Sequence, residues 1–199
     1  QKGKKLFGVL AQKDPDTETP NGEHLHAVGT LVQMVKSFKM PDGNITAILQ
    51  GKKRFKIVEI ISDEPFLRAK VEYLKDIKPP QNTEFRALMQ HIREMAMNII
   101  QESPNIPTEA QIALKNIESD TFLIHFIASN MNLDVEKKQA ILEENNIEKR
   151  TNSVLKHLSY EKHLLEVKND IANRVRTEFD QQQREYFLQQ QMKTIQEEL

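Results

Sequence analysis

The sequence contains no cysteine among its 199 residues, so disulfides and thiolate metal sites are excluded, and a reducing compartment is favoured. No apolar run approaches the ~20 residues that a membrane-spanning helix needs. The formal net charge of −1 provides no global electrostatic attraction to nucleic acid or anionic lipid. These absences predict a soluble protein that has no membrane partner, and they give nucleic-acid binding no support from charge.

Motifs for common catalytic and metal sites are also missing. The six glycines are scattered, and no G-x-x-x-x-G-K-[ST] phosphate-binding loop occurs. His24 and His26 lie close together, but two histidines do not complete a metal site, and we interpret them as solvated loop residues. Ser119, beside Asp120, is interpreted as a helix cap rather than a nucleophile. The sequence therefore predicts no catalytic, cofactor-binding or metal-binding residue.

The first 78 residues have a pattern typical of β-strands. Apolar or alternating runs predict strands over residues 6–11, 28–38, 45–49, 55–61 and 67–74. Pro41-Asp42-Gly43 is a tight-turn sequence and predicts a hairpin between the second and third of these strands. Lys52-Lys53-Arg54 precedes a strand, and we interpret this basic run as a solvated edge rather than a phosphate contact.

The period of the apolar residues changes from two to 3.6 after Pro79-Pro80. We therefore predict a β-rich module over residues 1–78, a helical bundle over 79–158 and a long helix over 159–199. Within the bundle, Asn82 or Thr83 caps a first helix, which Pro104 and Pro107 end. The remaining helices are predicted to start near residues 108, 120, 135 and 147, and Asp134 is predicted to cap the third of these four.

The last 40 residues contain no proline or glycine, which predicts one long helix. Leu158, Leu165, Ala172, Phe179 and Tyr186 recur every seven residues, and we predict that Leu165, Ala172 and Phe179 pack against the bundle. The end of the rod lies beyond the reach of the bundle and should meet another chain or domain. The predicted assembly residues are Phe179, Tyr186, Phe187, Leu188, Met192 and Ile195.

A second group of residues is predicted to engage a partner protein. Phe38 and Met40 flank the hairpin turn, where apolar side chains that stand exposed would suit a sensor of unfolded protein. For Phe38, packing under the sheet is an equally good interpretation. Met97 lies off the apolar stripe of the first helix, on which Met89 is interpreted as a core residue. The candidates for engagement are therefore Phe38, Met40 and Met97.

Several ordered blocks resemble the N-terminal domain of Lon-type ATP-dependent proteases. They include Ala11-Gln12-Lys13-Asp14-Pro15, Gly51-Lys52-Lys53-Arg54-Phe55, Lys138-Gln139-Ala140-Ile141-Leu142-Glu143 and Gln183-Arg184-Glu185-Tyr186-Phe187-Leu188. The leucine-proline-rich first strand of that family is missing, and the chain stops before the ATPase and Ser-Lys protease domains. We therefore expect an internal fragment whose β-module has an edge that its own missing strand would cover.

The resemblance implies an α+β fold. We expect a β-rich, partly open barrel-like (PUA-like) module, followed by an all-α bundle and a long C-terminal amphipathic helix. By the same resemblance, the parent is an AAA+ serine protease, a homo-hexamer that uses ATP and Mg and degrades misfolded and regulatory proteins. The fragment would then carry no cofactor, and its partners would be unfolded or damaged proteins and copies of itself.

Alternatives remain open at this point. A free-standing adaptor with a Lon-like β-domain is the second interpretation, although residues 183–199 would have no purpose in a protein that lacks the ATPase. A nucleic-acid binder is the third. The expected location is the bacterial cytoplasm, with an organelle matrix as the alternative.

Overall fold

The computed structural model describes residues 6–103, 106 and 108–198. The predicted helix-ending residues Pro104 and Pro107, and Leu199 at the end of the predicted rod, lie outside the described residues. The described residues fall into two compact units. The described residues within Gln1–Met89 and Glu118–Val154 form the first unit, and those within Gln90–Ile117 and Leu155–Leu199 form the second.

The first unit contains an antiparallel sheet in the order β1-β2-β3-β4. Its strands are β1 (Leu6–Val9), β2 (Val28–Lys39), β3 (Ile45–Ser62) and β4 (Arg68–Tyr73). A short 3-10 turn, Gly22–His24, lies between the first two strands. The predicted α+β class is confirmed, and the β part is a four-stranded open sheet among the described residues.

The hairpin between β2 and β3 forms as the turn sequence predicts. Met40 donates its N–H to the carbonyl of Asn44 at 2.7 Å, and Gly43 adopts a φ of 87° that disfavours other residues. The Asp42 carboxylate accepts the backbone N–H of Asn44 at 3.0 Å. The turn therefore holds the two strands in register from Lys39 and Ile45 onward.

The two strands predicted over residues 45–49 and 55–61 are one strand of 18 residues, so that division was wrong. The backbone between them stays paired with β2, since Gly51 lies opposite Val32 and Lys53 lies opposite Leu31. The register shift there accommodates Lys52 as an extra residue. Such a bulge bends a strand without ending it.

Over the described residues, five helices follow the sheet: α1 (Thr83–Glu102), α2 (Thr108–Lys115), α3 (Asp120–Asn130), α4 (Val135–Glu143) and α5 (Ile147–Glu198). Three predicted caps are confirmed. Asn82 accepts the N–H of Phe85 at 2.8 Å, Ser119 accepts that of Phe122 at 3.4 Å, and Asp134 accepts that of Lys137 at 2.9 Å. No helix of the described chain combines the length and apolarity that crossing a membrane requires.

α5 continues without a break for 52 residues, so the predicted separation near residue 158 between a fifth helix and a long helix was wrong. No proline or glycine lies between residues 147 and 198, and nothing else in this stretch interrupts the helical hydrogen bonds. At 1.5 Å per residue the helix is roughly 78 Å long.

Each unit has its own apolar core. In the first unit, Leu123 and Ile124 of α3 and Val154 of α5 are at most 1% exposed. In the second unit, Ile92 of α1 and Leu114 of α2 are equally buried, and Leu158 of α5 is 3% exposed. The predicted apolar stripe of α1 is confirmed at Phe85, Met89, Ile92, Ala96 and Ile99, which are all buried.

Candidate functional site

The hairpin of β2 and β3 carries apolar side chains that remain in contact with solvent. Phe38 is 40% exposed and Met40 is 44% exposed, so neither belongs to the core of the unit. The Lys36 ammonium lies over the Phe38 ring, 4.8 Å from its centre, and makes a cation–π contact with it. Sequence reasoning missed Ile45, which follows the turn and is 74% exposed.

Met97 lies in the second unit, whereas the hairpin of β2 and β3 lies in the first. It is half-buried in α1, whereas Met89 of the first unit is 4% exposed and packs in the core as predicted. The Met95 sulfur accepts the Ser159 hydroxyl at 3.8 Å, a contact that links α1 to α5 inside the second unit.

The distal part of α5 exposes its apolar side chains. Ala172 is exposed and Phe179 is 59% exposed, so the prediction that these two pack against the bundle was wrong, whereas Leu165 is half-buried. The heptad starting at Leu158 drifts around a straight helix by about 20° per repeat, and it leaves the buried face. The remaining predicted assembly residues, Tyr186, Phe187, Leu188, Met192 and Ile195, are all at least half exposed.

Sequence reasoning missed a second apolar stripe on α5. Its members follow each other at spacings of four, three, four and four residues, and each is between 39% and 64% exposed. They are Tyr160, Leu164, Val167, Ile171 and Val175. At 100° per residue this stripe begins about 200° around the helix from the buried Leu158. The i, i+4, i+7 spacing was present in the sequence, but the prediction followed the seven-residue repeat, which describes a different face.

A buried cluster of charged groups lies where the sheet meets the start of α5, within the first unit. The predicted solvated edge at Lys52-Lys53-Arg54 is wrong for Arg54, which is 7% exposed. Its guanidinium lies 2.5 Å from the Asp76 carboxylate, and that of Arg150 lies 2.7 Å from the same oxygen. Arg150 is completely buried and also donates through Nε to the carbonyl of Glu144 at 3.0 Å.

The cluster shifts the pKa values of its members. Burial would raise the pKa of Asp76, but the hydrogen bond from Arg150 and the charges of both arginines outweigh it and lower that pKa. Burial, followed by the charges of Arg150 and Arg54, lowers the pKa of His125 to about 4. A neutral His125 can accept the Arg150 N–H through Nε2, at 3.2 Å.

This cluster fixes the α4–α5 turn to the sheet. Arg54 donates to the carbonyl of Glu144 at 3.2 Å and to the Asn145 side chain at 3.0 Å. Ile77 donates its N–H to the carbonyl of Asn145 at 2.8 Å. The burial of Arg150 could have been predicted from the sequence, because Arg150 lies between Ile147 and Val154 on the buried face of α5.

The two loop histidines occupy different environments. His24 is exposed and its Nδ1 accepts the N–H of Asn21 at 3.2 Å, which completes a capping box on the 3-10 turn. The Nε2 of His26 is buried without a hydrogen-bond partner in the described part of the chain. Over the described residues, no group of three or more histidines and acidic residues could hold a metal ion.

The chain matches known proteins along its whole length. The family described as the "ATP-dependent protease La (LON) substrate-binding domain" matches residues 1–160. The Lon protease of Flavobacterium johnsoniae is 50% identical over 198 residues, which are 99% of this chain and 24% of that protein. The Lon protease of Cytophaga hutchinsonii is 45% identical over 199 residues, with the same 24% of its length covered. The chain thus spans about a quarter of these curated relatives.

Solved structures share the fold. The N-terminal domain of a Mycobacterium avium complex Lon protease superposes with a TM-score of 0.57 at 13% identity, covering 78% of this chain and 90% of that one. A Lon N-terminal domain protein from Xanthomonas campestris gives 0.51 at 17% identity, covering 76% and 75%. The sequence matches confirm the predicted resemblance to Lon-type proteases, and the chain belongs to the family of the ATP-dependent protease La (LON) substrate-binding domain.

Proposed function

We propose that this chain binds unfolded or damaged proteins for a Lon-type ATP-dependent protease and takes no part in the bond cleavage itself. The observation that carries the proposal is the exposed apolar surface of the β2–β3 hairpin, where Phe38, Met40 and Ile45 are each at least 40% exposed. Unfolded clients share hydrophobicity rather than a sequence, so an exposed apolar surface is the feature that can recognise them. Met97, half-buried in α1, is a further candidate for contact with clients.

The distal part of α5 is proposed to be an assembly element. Phe187, Leu188, Met192 and Ile195 are between 50% and 62% exposed near its end. Removing such side chains from water is favourable by ~25 cal/mol per Å², so a second copy or a further domain of the same protein would stabilise them. In the parent protein this pairing would help to hold a homo-hexamer together.

The activity of the parent is a proposal of the same kind. The relatives are Lon proteases about four times as long as this chain, and they come from bacteria. A protein of that length would add an AAA+ ATPase domain that uses ATP and Mg, and a serine–lysine protease domain. It would degrade misfolded and regulatory proteins in the bacterial cytoplasm. These relatives favour the protease segment over a free-standing adaptor.

Client binding can be tested on the chain itself. Met40→Ser should weaken the binding of fluorescein-labelled, chemically unfolded casein, measured by anisotropy, and leave the thermal midpoint almost unchanged because Met40 is exposed. Val135→Ser is a matched control, since Val135 is 51% exposed at the start of α4 and outside the hairpin.

Equal losses of casein affinity in both variants would indicate non-specific hydrophobic binding. If Met40→Ser lost no affinity, the hairpin would not belong to the client-binding surface. A large fall in the melting temperature of Met40→Ser would show that this side chain supports the fold.

A further inference from the structure

The neighbours of β3 cover its two edges unevenly. β2 pairs with β3 from Ile45 to Lys56, whereas β4 begins to pair only at Phe55, opposite Tyr73. Within the described chain, no strand pairs with the other side of β3 over residues 45–51. We call this stretch, Ile-Thr-Ala-Ile-Leu-Gln-Gly, the free edge.

The hydrogen-bond pattern shows which backbone groups of the free edge point outward. Met40 donates to the Asn44 carbonyl, so these residues form a hydrogen-bonded pair at the end of the hairpin. Pairs alternate along an antiparallel ladder, and the next pairs are Lys39 with Ile45, Phe38 with Thr46 and Ser37 with Ala47. The N–H and C=O groups of Ile45 and Ala47 therefore point away from β2, towards a position where a further strand would lie.

The free edge lacks the features that normally protect such an edge. The corresponding outer edge of β2 carries Lys36 and Lys39, and its register shifts between Met34 and Lys36. The free edge contains no charged residue and no proline, and its Ile45, Ile48 and Leu49 are 74%, 50% and 41% exposed. Charged side chains and bulges prevent strand addition, so the two edges of the same hairpin differ in their capacity to accept a strand.

We propose that the free edge binds an extended, apolar segment of an unfolded protein client as an added β-strand. This proposal rests on the proposed function and names the form in which the client is held. Backbone hydrogen bonds would supply affinity for many sequences, and alternate side chains would contact the exposed isoleucines and leucine. Seven residues of strand span roughly 23 Å, enough for a typical strand of five or six residues.

Charges at the ends of the free edge define the preferred client further. Lys52 and Lys53 follow it directly, and Lys39 lies opposite its first residue. An uncharged core with acidic residues at its ends therefore fits this edge better than a basic segment. The client is a polypeptide because the matching family is the substrate-binding domain of a protease.

The test compares proline substitutions at opposed positions on the two edges. The probe is a fluorescein-labelled peptide of alternating valine and threonine with a glutamate at each end, titrated by anisotropy. Ala47→Pro removes one outward N–H from the free edge. It should weaken peptide binding roughly tenfold, because one hydrogen bond to the peptide is lost and the proline ring distorts the strand locally. Ser37→Pro makes the same change on the outer edge of β2 and should bind like the unmodified chain.

A second probe tests backbone pairing without changing the protein. The same peptide methylated on every backbone nitrogen between its two glutamates keeps its side chains but loses its donors on both edges, and it should not bind. The edge proposal is overturned if this peptide binds as well as its parent, or if Ala47→Pro binds like Ser37→Pro with both variants folded by circular dichroism.

Two other occupants would also overturn the proposal. One is a second copy, revealed by a dimer in sedimentation that Ala47→Pro abolishes. The other is the protein's own additional chain, revealed if the full-length protein fails to bind a peptide that this fragment binds. If unfolded casein binds the unmodified chain and Ala47→Pro equally well, strand addition at the free edge is refuted but the proposed function is not. If unfolded casein binds neither protein, the proposed function is refuted.

Discussion

Removing the carboxylate of Asp76 should destabilise the first unit more than any exposed acidic substitution. Asp76→Asn leaves Arg54 and Arg150, which are 7% and 0% exposed, close together without their shared negative charge. Loss of one partner from a buried ion pair costs about 3–5 kcal/mol. Asp76 itself is 31% exposed, and both arginines keep backbone carbonyl partners, so we expect a loss of about 3 kcal/mol, at the lower end.

Equilibrium urea unfolding followed by far-UV circular dichroism measures this change. Asp170→Asn on the exposed part of α5 is the control, and its unfolding free energy should change by less than about 0.5 kcal/mol. Equal unfolding free energies for the two variants would refute the view that the cluster joins α5 to the sheet through Asp76.

Three further predictions concern other parts of the chain. In the folded chain, burial and the nearby arginines lower the pKa of His125 to about 4, below its ordinary 6.5, so the unfolded chain takes up a proton first as the pH falls. The unfolding free energy should therefore fall between pH 6.5 and pH 4, by on the order of 3 kcal/mol. Urea titrations should show a smaller fall for His125→Gln. Gly29→Ala should cost about 2 kcal/mol in urea unfolding because its added Cβ would overlap the carbonyl of Val9, whereas Gly51→Ala, whose Cβ would lie 3.3 Å from a Thr30 methyl, should cost less. In the full-length protein, Leu188→Glu should impair the proposed assembly of copies in sedimentation, whereas Gln189→Glu should not; unchanged assembly in both variants would show that this face is only solvated.

Local patterns predicted much of the fold. The Pro41-Asp42-Gly43 turn, the caps at Asn82, Ser119 and Asp134, and the apolar stripe of α1 depend on neighbours in sequence, and all are confirmed. Their chemistry is complete within a few residues, so no tertiary information is needed to find them.

The buried cluster could not be predicted in the same way. Arg54, Asp76 and Arg150 are far apart in the sequence, and a basic run before a strand is usually solvated. Only tertiary packing brings the two guanidinium groups to one oxygen of the Asp76 carboxylate. The same limit applies to β3, because pairing with β2 keeps Gly51 and Lys53 in the strand despite their weak intrinsic preference for it.

The long helix shows an intermediate case. Its existence follows from the lack of proline and glycine, but its buried face depends on what packs against it. The seven-residue repeat predicted contacts for Phe179, which is 59% exposed, while the stripe from Tyr160 to Val175 went unrecognised. Periodicity identified apolar faces on α5, and it did not identify which of them is covered.

The proposed function requires that this chain alone binds unfolded protein without any catalytic domain. The most direct measurement titrates the purified chain into one fluorescein-labelled protein, such as ribonuclease, in its native form and in its reduced, unfolded form, and records anisotropy without ATP. We expect saturable binding of the unfolded form, weak binding of the native form, and an intact client on a gel afterwards. Equal binding of both forms, or binding of neither, would contradict it.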